Sequence, residues 1–220
     1  MEQLGLSNDE LLTTTRAVRK RLDFERDVPD EVIRDCVRIA MQSPSGSNNM
    51  TMRFVVVKDA EKRAAIGDVY RQCWDMYSQS PMFAGAIKKE TDAEQAQQDR
   101  VTDSATYLGH HMGEAPALVI ACTESGRVDG QPAMVSASMM GNCLPAMWSF
   151  MLAARSRGLG TAWTTIHLMM EQQVADIVGI PFDGVQQACL SPLAYTKGTD
   201  FKAAMRPEPD SIIHWDAWTG

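Results

Sequence analysis

The chain has 220 residues, 45% of them hydrophobic, enough for one domain with a full core. Its net charge of −7 argues against nucleic acid and against an anionic membrane surface, since both recruit an excess of cations. No apolar stretch reaches the roughly 20 residues that span a bilayer, and the opening MEQLGLSNDELL lacks the basic-then-apolar pattern of a leader.

Ser7-x-x-Glu10 is a capping box that opens a first helix over Asn8–Thr14. At its end come Arg16, Arg19, Lys20 and Arg21. In an acidic chain this basic run is either a solvated face or an anion site, and arginine's planar fork of donors suits a phosphate. Pro29 precedes two acids, Asp30 and Glu31, which suit a helix N-terminus. The helix runs to about Gln42 with Val32, Ile33, Cys36, Val37 and Ala40 on one face, and Pro44 ends it. Ser43–Val57, SPSGSNNMTMRFVVV, passes from a donor-rich polar loop into a buried strand at Phe54–Val57.

A helix over about Ala60–Tyr77 follows. Ser78–Gly113 is polar, with scattered aromatics, and reads as a helical insertion over the fold rather than part of the core. It is a candidate lid, or else a solvated excursion. Trp74, His110 and His111 either line a pocket beneath it or serve packing and surface. Ala117–Cys122 is continuously apolar, which predicts a strand covered on both faces. Met134–Arg157 reads as a helix apolar all round and therefore buried, kinked at Pro145 and ended at a left-handed Gly158. Its methionines suit core packing and an adaptable dimer contact. A helix at Glu171–Val178 stops at Gly179, and a strand covers Gln186–Ala194. The tail, Thr199–Gly220, carries Ile212, Ile213, Trp215 and Trp218, which need a surface to pack on; a partner subunit is one candidate.

Strands near 54, 118, 162 and 188 alternate with helices, which predicts one sheet sandwiched by helices. Cys36, Cys73, Cys122, Cys143 and Cys189 are odd in number and form no C-x-x-C pair. They read as reduced core thiols of a cytoplasmic protein. His110, His111, His167 and His214 have no metal-ligand spacing with them, so no metal is expected. Gly158-Leu-Gly160 ends a helix instead of opening one, so it is not the dinucleotide fingerprint. Neither a P-loop nor a G-x-S-x-G elbow occurs.

Five pieces occur in a fixed order over about Thr14–Trp218: Thr15–Arg19 (TRAVR), Pro44–Phe54 (PSGSNNMTMRF), Leu152–Thr165 (LAARSRGLGTAWTT), Pro192–Tyr195 and Arg206-Pro207. Together they resemble the FMN-dependent nitroreductase family. The resemblance implies an α+β fold, a central mixed β-sheet sandwiched by helices, with residues 1–220 as a single flavin-binding domain. Within it, 78–113 would be the helical insertion or lid and 199–220 the tail. It further implies that FMN is held by Arg16, Ala17 and Arg19, by Pro44, Ser45, Gly46, Ser47 and Asn48, by Thr164 and Thr165, and by Arg206. Arg19 and Arg206 fall on the phosphate, and a backbone N–H of Thr164 or Thr165 on the flavin ring. In this family the loop reaches the flavin of the neighbouring subunit, which implies a homodimer.

No side-chain acid is evident, so no catalytic residue is assigned. The sequence departs from the family pattern at Thr15, where an arginine is usual, at Ala17 and Ser47, which replace Ser and Gly, and at Met50-Thr51-Met52. The implied activity is a two-step cycle in which NAD(P)H reduces FMN and a nitroaromatic, quinone or other conjugated acceptor is then reduced. An FMN-sequestering protein without turnover and a dehalogenase-type member of the fold are the alternatives.

Overall fold

The computed structural model describes residues 3–219; Met1, Glu2 and Gly220, at the ends of the expected domain and tail, lie outside the described residues. In chain order the elements are α1 (Asn8–Thr14), β1 (Leu22–Asp23), α2 (Asp30–Ala40), β2 (Met52–Val57), α3 (Ala60–Ser78), α4 (Asp92–His111), β3 (Ala117–Thr123), α5 (Ala133–Ser156), β4 (Leu159–Thr161), α6 (Glu171–Val178) and β5 (Gln186–Thr196). β5 is the hub of the sheet and pairs antiparallel with β3, β4 and β1, while β2 pairs antiparallel with the far side of β3. A parallel bridge between Ala17 and Thr161 completes the mixed pattern of an α+β sheet.

β3 shows why a continuous apolar run needs two covers. Leu118, Ile120 and Cys122 face Ile66, Val69 and Cys73 of α3 and Val174 and Ala175 of α6. Ala117, Val119 and Ala121 face Val32, Ile33 and Cys36 of α2 and Met147, Phe150 and Ala154 of α5. All seven residues of β3 are buried, so the period of two delivers alternate side chains to two separate cores. The five cysteines are free thiols in these cores. Burial pushes Cys36 up to about 11 and Cys122 and Cys143 up to about 12, so they act as small apolar residues.

Local signals set several boundaries. Ser7 and Glu10 form the reciprocal capping box that starts α1. Gly179 closes α6 at φ 76°, and Gly158 sits at φ 77° after α5. α1 spans the expected Asn8–Thr14 and Thr15 is extended, so Arg16 and Arg19 lie on the segment that follows it. Two expectations need correction. α5 runs through Pro145 but is not buried all round: Met134 is 79% exposed and Trp148 39%. The C-terminal part of the insertion belongs to the core, with Leu108 and Met112 buried. Gly109 permits this, since a Cβ there would stand 2.6 Å from the Trp74 ring. Trp74 serves packing, edge-on to Tyr77 and Phe83. Among the described residues no helix is long and apolar enough to cross a membrane.

Candidate functional site

Where α1 ends, the backbone turns extended and runs beside β4. Val18 N–H donates to the Thr161 carbonyl at 2.8 Å, and the Val18 side chain is buried. Alternation then turns Ala17 and Arg19 the other way. The close approach depends on Gly160, because a Cβ there would stand 2.9 Å from the Val18 Cβ and 2.8 Å from the Thr196 methyl. Any larger residue in β4 would push the arginine segment outward.

Arg16, Ala17 and Arg19 line a cavity of about 600 Å³. Its other walls include Trp148 of α5, Trp163 after β4 and Arg206 of the tail. The structure thus brings together four of the residues singled out from sequence, drawn from opposite ends of the chain. It also divides the basic run in two. Lys20 and Arg21 pair with Asp103 and Asp200 at the surface, whereas Arg16, Arg19 and Arg206 have no carboxylate partner among the described residues. Arg19 donates to Ser104 Oγ at 3.2 Å. Burial pulls its pKa below the usual arginine range, opposed by the nearby Tyr70. Three guanidinium groups without counter-ions around one cavity make an anion-accepting wall.

The Thr164–Thr165 pair adjoins this cavity through Trp163. Thr164 is fully engaged by Leu190: its N–H donates at 3.0 Å, its carbonyl accepts at 2.9 Å, and its hydroxyl donates at 2.6 Å. Thr165 N–H has no partner among the described residues, so of the two it is the one free to face a ligand.

Pro44–Asn48 lie elsewhere, on the N-terminal half of α5. Gly46 N–H donates to Asn142 Oδ1 at 2.6 Å, and none of the five residues lines the cavity. Ser47 and Asn48 both sit at φ 54°, in the left-handed region. Asparagine tolerates that conformation, but serine does so at a cost.

Sequence reasoning passed over Trp148, Trp163 and the α4 residues Gln97 and Val101, all of which line the cavity. Trp163 stands inside the Leu152–Thr165 motif and carried a usable signal. Trp148 sits in a run that reads as core, and nothing in the polar composition of the insertion marks Gln97.

The model of the family described as "Nitroreductase family" matches residues 12–195. A provisionally named NADH dehydrogenase/NAD(P)H nitroreductase of Archaeoglobus fulgidus is 24% identical over 212 residues, covering 94% of this chain and 97% of that protein. An iodotyrosine deiodinase solved with FMN and 3-iodo-L-tyrosine superposes with a TM-score of 0.70 at 20% identity, covering 96% of this chain and 99% of that one. An FMN- and NADPH-dependent nitroreductase variant from Sphigopyxis sp. strain HMH superposes with a TM-score of 0.67 at 19% identity, covering 97% and 100%.

Proposed function

The chain belongs to the nitroreductase family, and from that footing we propose that it is an FMN-dependent oxidoreductase that takes electrons from NAD(P)H and delivers them to a nitroaromatic, quinone or related conjugated acceptor. The observation that carries this reading is the convergence of Arg16, Arg19 and Arg206 on one cavity without a carboxylate among them. A phosphomonoester carries nearly two charges, and the desolvated Arg19 is the group that gains most from an anion.

When bound, FMN supplies a reversible two-electron centre. The chain's residues bind and orient it. Arg19 and Arg206 hold the phosphate, with Arg16 and Ala17 beside them. Thr165 N–H is a fixed dipole suited to the negative charge of a reduced ring. Trp148 and Trp163 supply apolar walls that exclude water. The α4 insertion, which reaches the cavity through Gln97 and Val101, sets acceptor preference.

In this reading the protein is a homodimer. Met134 and Trp148 of α5 and Ile212, Trp215 and Trp218 of the tail are exposed on the single chain. Pro44, Ser45, Gly46, Ser47 and Asn48 stand away from their own chain's cavity, and they complete the partner's site. The five unpaired thiols suit a reducing cytoplasm.

The test is the visible spectrum of the purified protein, then anaerobic NADH or NADPH, then an acceptor panel. The panel includes 3-iodo-L-tyrosine, the ligand of the deiodinase of this fold. Flavin that bleaches with the nicotinamide and recovers with an acceptor supports the reading. Flavin that stays oxidised indicates storage without turnover, and a colourless protein that fails to take up FMN refutes it.

A further inference from the structure

Arg155 lies in the last turn of α5 and is only 4% exposed, yet no carboxylate pairs with it among the described residues. Its Nη2 donates to the Thr199 carbonyl at 3.1 Å and to Thr14 Oγ1 at 3.3 Å. Its Nε and Nη1 have no partner among the described residues. The guanidinium stands 5.0 Å from the centroid of the Phe201 ring, and Arg21 stands 4.3 Å from the same ring. Burying an unpaired cation is costly, and an aliphatic side chain of similar length fills the same space without that cost. The grip on residues 199–201, with the bond to Thr14, is what the guanidinium adds.

Two other arginines touch this segment from outside. Arg21 donates to the Lys197 carbonyl at 3.0 Å and pairs with Asp200, and Arg16 donates to the Lys202 carbonyl at 2.9 Å. Both contacts are exposed, where solvent weakens such bonds. Arg155 is the buried hold. Immediately beyond it, Ala203, Ala204 and Arg206 line the cavity.

We propose that Arg155 is a positioning residue for the anion site: by holding the Thr199 carbonyl and the Phe201 ring, it fixes the start of the tail so that Arg206 meets Arg16 and Arg19 across the cavity. This rests on the reading that the cavity takes the FMN phosphate. Arg155 is not among the residues that line the cavity, and its influence on the anion site passes through Arg206.

The experiment is a double-mutant cycle on the full chain, read as the FMN dissociation constant of wild type, Arg155→Met, Arg206→Ala and the double variant. Each single change is expected to weaken FMN about tenfold. The double variant is expected to bind within about twofold of Arg206→Ala, because the second change has nothing left to act through. Arg155→Lys, which keeps a donor for Thr199, is expected to recover most of the affinity. Wild-type affinity in Arg155→Met, or a multiplicative loss near a hundredfold in the double variant, would overturn the proposal. Wild-type affinity in Arg206→Ala would overturn it too, by a separate route, since the phosphate assignment falls first. Should Arg155→Met not fold, Phe201→Leu takes its place in the cycle, and the same results support or overturn the proposal.

Discussion

The Arg16 guanidinium donates to the Lys202 carbonyl at 2.9 Å, tying the segment after α1 to the start of the C-terminal tail beside the cavity that both line. In the proposed site Arg16 would serve twice, as a cation and as an anchor. The bond is exposed, so its loss costs about 1 kcal/mol. Arg16→Ala is expected to weaken FMN about fivefold and to speed proteolysis between 197 and 206. An FMN titration beside a limited digest checks both effects, and a slower digest would contradict the anchor.

Ser47 holds φ 54° and ψ 25° in the loop before β2. A left-handed serine stores roughly 1 kcal/mol that glycine does not, partly offset by glycine's greater freedom when unfolded. Ser47→Gly is expected to stabilise the chain by up to about 1 kcal/mol. Ser47→Val, with a branched Cβ, should destabilise it by more than about 1 kcal/mol. Urea midpoints of the two variants decide it; equal midpoints would contradict the strain.

His167 is fully buried after Thr165, and neither ring nitrogen has a partner among the described residues. Burial lowers its pKa from 6.5 to about 4, with the Glu171 charge opposing. The folded pKa lies below the unfolded one, so the unfolded chain binds more protons between them. Stability is thus held above pH 6.5 and lost as the pH falls towards 4, by about 3 kcal/mol over the whole window. Glu171, lowered by Arg127 and the Gln187 N–H against its own burial, adds a loss only at more acidic pH. Between about pH 7 and pH 5 the slope therefore reports His167. His167→Leu is expected to flatten it in denaturant titrations, and an unchanged slope would place the titration elsewhere.

Ile212, Trp215 and Trp218 are 72%, 76% and 81% exposed on the single chain. Burying one such side chain stabilises by roughly 1.5–3 kcal/mol. A chain ending after Pro209 is expected to sediment as a monomer at low micromolar concentration and to lose FMN. A truncated dimer that keeps its flavin would show that the tail covers only its own subunit.

Where one physical cause acts locally, the sequence was readable. The Ser7–Glu10 box, the Gly179 cap and the two-faced burial of Ala117–Cys122 each follow from residues within a few positions of one another. The cavity was harder, because its walls meet only through tertiary packing. Arg19 and Arg206 were nameable one at a time, but no local pattern shows that Gly160 lets the first approach β4 or that Arg155 holds the tail carrying the second. Trp148 was hidden for the opposite reason: an apolar stretch looks the same whether it faces a core, a ligand or a partner. The end of the insertion was misjudged because Gly109, which admits Trp74, reads in sequence only as a weak helix residue.

Equilibrium titration of FMN against Arg19→Ala and Arg206→Ala decides whether the arginine cavity holds the FMN phosphate. Each change removes a charge-assisted bond worth roughly 1.5–3 kcal/mol, so affinity is expected to fall about tenfold or more in each variant. Riboflavin, which lacks the phosphate, is expected to bind wild type and both variants equally weakly. Wild-type FMN affinity in both variants would contradict the claim.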